Sequence, residues 1–289
     1  MRTSIRPAFE SSPLAASRFA GLLALGLLEL GSSGCAGGMP LLHPARTLPA
    51  GDVRAAGGLS GQIAIGSIAE DLRSAKALAA SNADLPGTPG SNPAYAKGAL
   101  VAAAVAPGLA PFVAGRVGIG GNAEGGITYT GRAARLDMRR SFETGSVQLS
   151  IGAGVTVPFY GRQQGSPLPN VDLSALHGYG ADIPFLVGWT SKASLYSLWI
   201  GARAGAEHVG IDNLTSEPKS VTIGTGSISL AADRFYGGGL LGLAVGFRHV
   251  HVALELDVSY QTVNGRYNDT PVNVKGVSLT PASAVWWDF

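Results

Sequence analysis

The chain is poor in cysteine, in charge and in long apolar runs. Among its 289 residues there is one cysteine, Cys35, which excludes a disulfide scaffold and any cysteine-rich zinc cluster. Charged residues make up 14% of the chain and the formal net charge is +2. Ordinary domains carry roughly a quarter of charged residues, and a chain this close to neutrality lacks the basic footprint of a nucleic-acid binder. After the first 35 residues no stretch approaches the ~20 consecutive apolar residues that a membrane-crossing helix needs. What is abundant is glycine, 42 residues, alongside a hydrophobic content of 46%. That hydrophobic content excludes a disordered chain.

Arg2, Arg6 and Arg18 precede an apolar run from Phe19 to Leu28, which Glu29 ends. A basic stretch followed by an apolar run too short to span reads as an export signal over residues 1–34. Gly31, Ser32, Ser33 and Gly34 then lead into Cys35. This resembles a bacterial lipoprotein signal, in which the cysteine becomes the lipidated N-terminal residue. Ser33 and Gly34 fit it, while Ser32 stands where leucine is usual. The resemblance implies lipidation at Cys35; otherwise the segment is an ordinary signal peptide with an incidental cysteine. Residues 35–50 are Gly, Pro and Leu without a period and read as a tether.

The rest is organised by alternation with period two. From Ser146 to Phe159 one face is Val147, Leu149, Ile151, Ala153, Val155, Val157 and Phe159, and the other is polar or tiny. From Val250 to Tyr260 the apolar face is Val250, Val252, Leu254, Leu256, Val258 and Tyr260, opposed by His251, Ala253, Glu255, Asp257 and Ser259. Such segments are strands with two different environments. The pattern predicts ten: 52–64, 111–120, 123–131, 133–142, 146–160, 181–191, 194–209, 234–248, 250–263 and 274–289. Many reach the ~9–11 residues of a tilted transmembrane strand, beyond the ~5–6 of a soluble one. The connections alternate between short turns and longer loops, as in outer-membrane barrels. Within the long connection 65–110, Ala69 to Ala80 has helix-forming composition. The loops 161–180 and 210–233 are the expected contacts with the exterior.

Outward-facing aromatics fall into two groups. Phe142, Trp189, Tyr196, Phe247, Trp287 and Phe289 gather toward one rim, and Tyr129, Phe159, Phe235 and Tyr260 toward the other. Amphipathic rings at both membrane interfaces produce such girdles. In the last segment Val277, Leu279, Pro281, Val285, Trp287 and Phe289 alternate up to the final residue. A closing strand ending in Phe is similar to the assembly signal of Gram-negative outer-membrane β-barrels. The resemblance covers roughly residues 50–289 as an architecture and matches no subfamily of known substrate. It implies insertion by the outer-membrane barrel assembly machinery and residence among outer-membrane lipids.

The expected fold is therefore all-β: a transmembrane antiparallel up-and-down barrel over 51–289, of ten strands, or eight if 52–64 pairs elsewhere. The inward face then carries Arg54, Arg116, Arg135, Asp137, Arg139, Asp182, Arg203, Glu207, Arg234, Arg248, His251, Glu255 and Asp257. Charges of both signs there must pair or meet water, and inward glycines leave room for arginine side chains. This predicts a salt-bridged lumen and a structural or surface-exposed role. A small anion-favouring pore is the alternative, and a soluble exported β-sandwich that binds a ligand is a further one. No cofactor, metal or nucleic acid is implied, and any extracellular ligand is unspecified. His251, Glu255 and Asp257 share a face, but so do alternate residues of any strand. Ser259 lies too far along the strand from His251 to form a triad at roughly 3.3 Å per residue. Gly118 to Gly125 looks like a phosphate loop but joins two strands and lacks the helix N-terminus that such loops use. The expectation is a protein without catalytic residues.

Overall fold

A computed structural model of the chain describes residues 37–80, 92–158, 168, 175–212, 229–268 and 270–289. The export signal, Cys35, Phe159 and most of the loops 161–180 and 210–233 lie outside the described residues.

Ten antiparallel strands form one sheet that closes on itself. They are β1 (Val53–Ile65), β2 (Gly108–Gly120), β3 (Ala123–Thr130), β4 (Ala133–Thr144), β5 (Val147–Pro158), β6 (Leu176–Thr190), β7 (Tyr196–Asp212), β8 (Ser229–Phe247), β9 (Val250–Tyr267) and β10 (Thr270–Asp288). Each strand pairs with its sequence neighbours, and β1 closes the ring on β10, with Arg54 opposite Asp288 and Ile65 opposite Val277. All ten predicted strands are present, and the pairing of β1 settles the count at ten rather than eight. A single closed sheet also excludes the two-sheet sandwich.

Tight turns gather at the rim where β1 begins, here the turn end. Gly121 and Asn122 both have positive φ, 59° and 57°. That is the two-residue hairpin whose twist matches its strands. Beyond the opposite rim, the loop end, the wall is uneven. β8, β9 and β10 run 19, 18 and 19 residues, whereas β3 has 8.

The exterior is apolar in the middle. Leu136, Met138, Val155, Ile183, Leu241 and Leu254 point outward and are more than half exposed. Soluble monomers rarely expose a contiguous apolar surface of this extent; a belt of this kind suits lipid. Tyr129, Phe142, Trp189, Tyr196, Phe235, Phe247, Tyr260, Trp287 and Phe289 are all exposed on this surface. Tyr179, also exposed on it, is an addition.

The connection between β1 and β2 folds back into the barrel mouth instead of standing off it. It forms α1 (Ser67–Ala80), α2 (Pro93–Leu100) and a π-helical turn, Val101–Val105. In α1, Ile68, Leu72 and Ala75 are buried, the stripe of an amphipathic helix. α2 begins where the Asn92 side chain accepts a hydrogen bond from the Ala94 amide, with Pro93 in the first turn. These helices pack on the inner faces of the tall strands in an apolar cluster that includes Leu176, Val209, Ile211, Leu230, Val263 and Tyr267. None of the described helices is long and apolar enough to cross a membrane.

The expected tether is the largest departure. Residues 37–50 do not stand off the barrel; they run through its lumen from the loop-end half to the turn end. The Gly37 amide bonds to the Ala106 carbonyl, and the Gly51 amide to the Gly118 carbonyl at the far rim. Leu41, Leu42 and Ala45 pack with Phe112, Leu186, Trp199 and Trp286 in a second apolar cluster.

Candidate functional site

The lumen is the part of the molecule with chemistry in it. β4, β6 and β7 each bring one alternate face inward, so charged residues two apart along a strand line the same wall. Arg116, Arg135, Asp137, Arg139, Arg203, Glu207, His251, Glu255 and Asp257 all turn inward. The first six belong to two ionic groups.

One group is a continuous chain of alternating sign. Arg139 meets Glu124 at 3.0 Å, and Glu124 also binds Arg116. Arg116 reaches Asp137 at 2.5 Å, and Asp137 takes Arg135 at 2.7 Å. Arg135 grips Asp182 with two bonds of 2.8 Å, and Asp182 ends the chain on Arg203 at 2.9 Å. Glycine opens the space for this. A Cβ on Gly154 would collide with the Arg135 guanidinium. The second group is Arg132–Glu207–Arg234, with pairs of 3.1 and 3.0 Å. At the turn-end rim Arg54 holds Asp288 at 2.6 Å and stacks on Trp286.

Inside the barrel the described residues carry seven arginines (54, 116, 132, 135, 139, 203, 234) and seven carboxylates (124, 137, 182, 207, 255, 257, 288). The signs balance among these residues.

Arg248 is a correction. It continues the inward parity of β8, but that strand stops at Phe247. Arg248 sits in the next turn with φ 56°, exposed, its guanidinium over the Phe247 ring at 5.2 Å. The turn ends the alternation one residue before the pattern suggests.

Several wall residues do not pair with each other but hold the N-terminal segment. Glu255 accepts the amides of Leu41 at 2.7 Å and Leu42 at 2.9 Å, and the Trp199 indole N–H at 2.9 Å. Glu124 accepts the Leu48 amide at 2.8 Å. Arg139 donates to the carbonyls of Pro44, Ala45 and Arg46, and Arg203 to that of Met39. Ser60 bonds the Gly38 carbonyl at 2.9 Å, and Thr47 bonds Ser141 at 2.7 Å. The segment is a plug, fastened along its length. Its His43 is buried, with neither ring nitrogen hydrogen-bonded among the described residues.

The helical cap is fastened separately. Arg132 donates to the carbonyls of Ala103 at 3.3 Å and Ala104 at 2.8 Å, and Arg234 to Ala104 at 3.2 Å. These are the orphan carbonyls of a helix end, where a cation is favoured.

The predicted strands 123–131 and 133–142 leave Arg132 in the link between them, and neither it nor Glu124 is counted among the inward charges read from the sequence. Glu124 had a readable signal: it stands opposite Arg139 in the β3–β4 pairing and near Arg116 across the β2–β3 turn. Trp199 and Trp286, buried inside, were also missed.

The residues weighed for acid–base chemistry are not assembled. The Ser259 hydroxyl bonds Ser278 at 3.1 Å, and His251 Nε2 bonds the Ser194 carbonyl at 3.0 Å. Asp257 Oδ1 has no hydrogen-bond partner among the described residues. On the outer wall His208 bonds Asp233 at 2.7 Å and stacks on Tyr179, an exposed pair beyond the belt. Among the described residues no group of three metal-ligating side chains comes together.

By architecture the chain is an outer-membrane-type β-barrel. No family model and no characterised protein sequence matches it. Solved structures similar in shape include the outer membrane protease OmpT of Escherichia coli, at 8% identity and TM-score 0.38, covering 85% of this chain and 100% of that one. Neisserial surface protein A is similar at 10% identity and TM-score 0.33, covering 82% and 96%. A major outer membrane protein from Thermus thermophilus follows at 12% identity and TM-score 0.31, covering 62% and 99%. At these values the likeness carries nothing about activity, and the architecture rests on the closed sheet and its apolar belt.

Proposed function

We propose that this protein is an outer-membrane barrel with a sealed lumen, whose role is structural or at the cell surface, and that it neither conducts ions at rest nor catalyses a reaction. The observation that carries this reading is the plug. Residues 37–50 fill the lumen toward the turn end, and their backbone groups are bonded to the buried wall charges Glu255 and Arg139. Hydrogen bonds to charged groups contribute about 1.5–3 kcal/mol each, so a fastening of this kind belongs to the resting fold. The balanced lumen charge also removes the electrostatic reason for an anion pathway.

Planar-bilayer recording of the purified full chain tests the reading. A heat-modifiable band on electrophoresis first establishes that the barrel is folded. Silence across the membrane voltage range is expected. Steady conductance steps from the folded band would overturn it in favour of a pore.

A further inference from the structure

Above the plug, below the wall arginines that hold the cap, lies a partly open cavity of about 50 Å³. The plug contributes Gly37, Gly38 and Met39 to its lining; the cap-holding arginines Arg132 and Arg234 line it from above, and the rest is barrel wall. It separates the two apolar clusters, one made by the cap and one by the plug.

Its polar lining is incompletely bonded among the described residues. Asp257 is 8% exposed and its Oδ1 has no partner there; Arg203 is 6% exposed and its Nε has none; Gln62 is 4% exposed and its Nε2 has none. A cation placed here would face Arg132, Arg203 and Arg234. An anion would face Asp257 and Glu207. What fits is an uncharged molecule that donates to Asp257 and accepts from Gln62 and Arg203. Water does both, and a cavity of about 50 Å³ exceeds the ~10–15 Å³ that holding a water requires.

We propose that this partly open cavity is a hydrated chamber between two closures that act in series, so that the barrel is shut twice. The inference rests on the sealed-lumen reading and extends it. The closures are fastened by different residues. The plug hangs on Glu255, Trp199, Glu124 and Arg139. The cap hangs on Arg132, Arg234 and its own apolar cluster. One backbone bond joins them, from the Gly37 amide to the Ala106 carbonyl; releasing either closure leaves the other's remaining bonds in place.

The test compares four chains in planar bilayers, each first shown to be folded by heat-modifiable mobility. They are the full chain, a chain lacking residues 37–48, a chain in which 67–106 is replaced by a four-residue Gly–Ser hairpin, and the double variant. The hairpin is sterically reasonable because Gln62 pairs with Gly108, so the two strand ends are neighbours. Stepwise conductance is expected in the double variant and absent from the other three. Conductance in either single deletion equal to that of the double, or silence in a folded double variant, would overturn the proposal. Conductance in the full chain would instead overturn the sealed-lumen reading. Should a deletion fail to fold, milder variants ask the same question: Glu255→Leu with Trp199→Phe loosens the plug, and Arg132→Ala with Arg234→Ala loosens the cap. A diffraction structure of the full chain completes the test. Density for water within hydrogen-bond distance of Asp257 supports the chamber, and a dry cavity refutes it.

Discussion

Glu255 is a buried carboxylate whose partners are two plug amides and one indole, with no cation among them. Glu255→Leu would leave three donors buried and unpaired, and an unsatisfied buried group costs about 1–3 kcal/mol. Partial relaxation of the plug should hold the total to roughly 2–5 kcal/mol, read as a lowered urea midpoint for unfolding from detergent. Gly154 makes a different demand, since an added Cβ would run into the Arg135 guanidinium. Gly154→Val should break the twin bonds of Arg135 to Asp182 and cost about 1–3 kcal/mol as an overpacked site; an unchanged midpoint would mean that the arginine has other room. His208→Ala is the contrast. Its bond to Asp233 lies on the exposed wall, where ion pairs contribute about 0–1 kcal/mol, so the same assay should barely register it.

At the scale of the element, each strand separates two solvents. β9 shows it most clearly: Val252, Leu254 and Leu256 face out, while Ala253, Glu255 and Asp257 face in. Leu254→Arg should cost about 2–4 kcal/mol near the bilayer midplane, measured by refolding into lipid vesicles. Arginine at exposed Lys275, beyond the belt, should be neutral. Equal effects at both sites would contradict the belt. The cap helices depend on the wall in another way. Their C-terminal carbonyls are taken by Arg132, so Arg132→Ala should loosen the cap and raise protease cleavage between residues 67 and 106 while the sheet signal in circular dichroism stays unchanged.

At the scale of the whole molecule, closure is what makes the lumen charges tolerable. Buried ion pairs are weak stabilisers, and breaking one strands its partner. Here the ring carries each charge to an opposite one within 3.1 Å along the chain from Arg139 to Arg203 and in the Arg132–Glu207–Arg234 group. The balance of seven against seven predicts little ion selectivity once both closures are removed. Reversal potentials in a salt gradient should therefore lie near zero, and a marked anion preference would restore the anion pathway as an explanation.

The wall was legible in the sequence because its cause is local. A residue facing lipid and its neighbour facing the lumen need opposite chemistry, so period two records the environment of each position, strand by strand. The aromatic rims and the inward charges follow from the same rule, and Arg248 shows its limit, since the pattern does not say where a strand stops. The plug was not legible because its bonds are made by backbone amides and carbonyls, which every sequence offers alike. The specificity lies in Glu255, Arg139 and Glu124, far away in the chain. The partner of each charge, the fold-back of the cap and the cavity between cap and plug were likewise decided by closure of the ring, which brings together residues that no spacing along the chain relates.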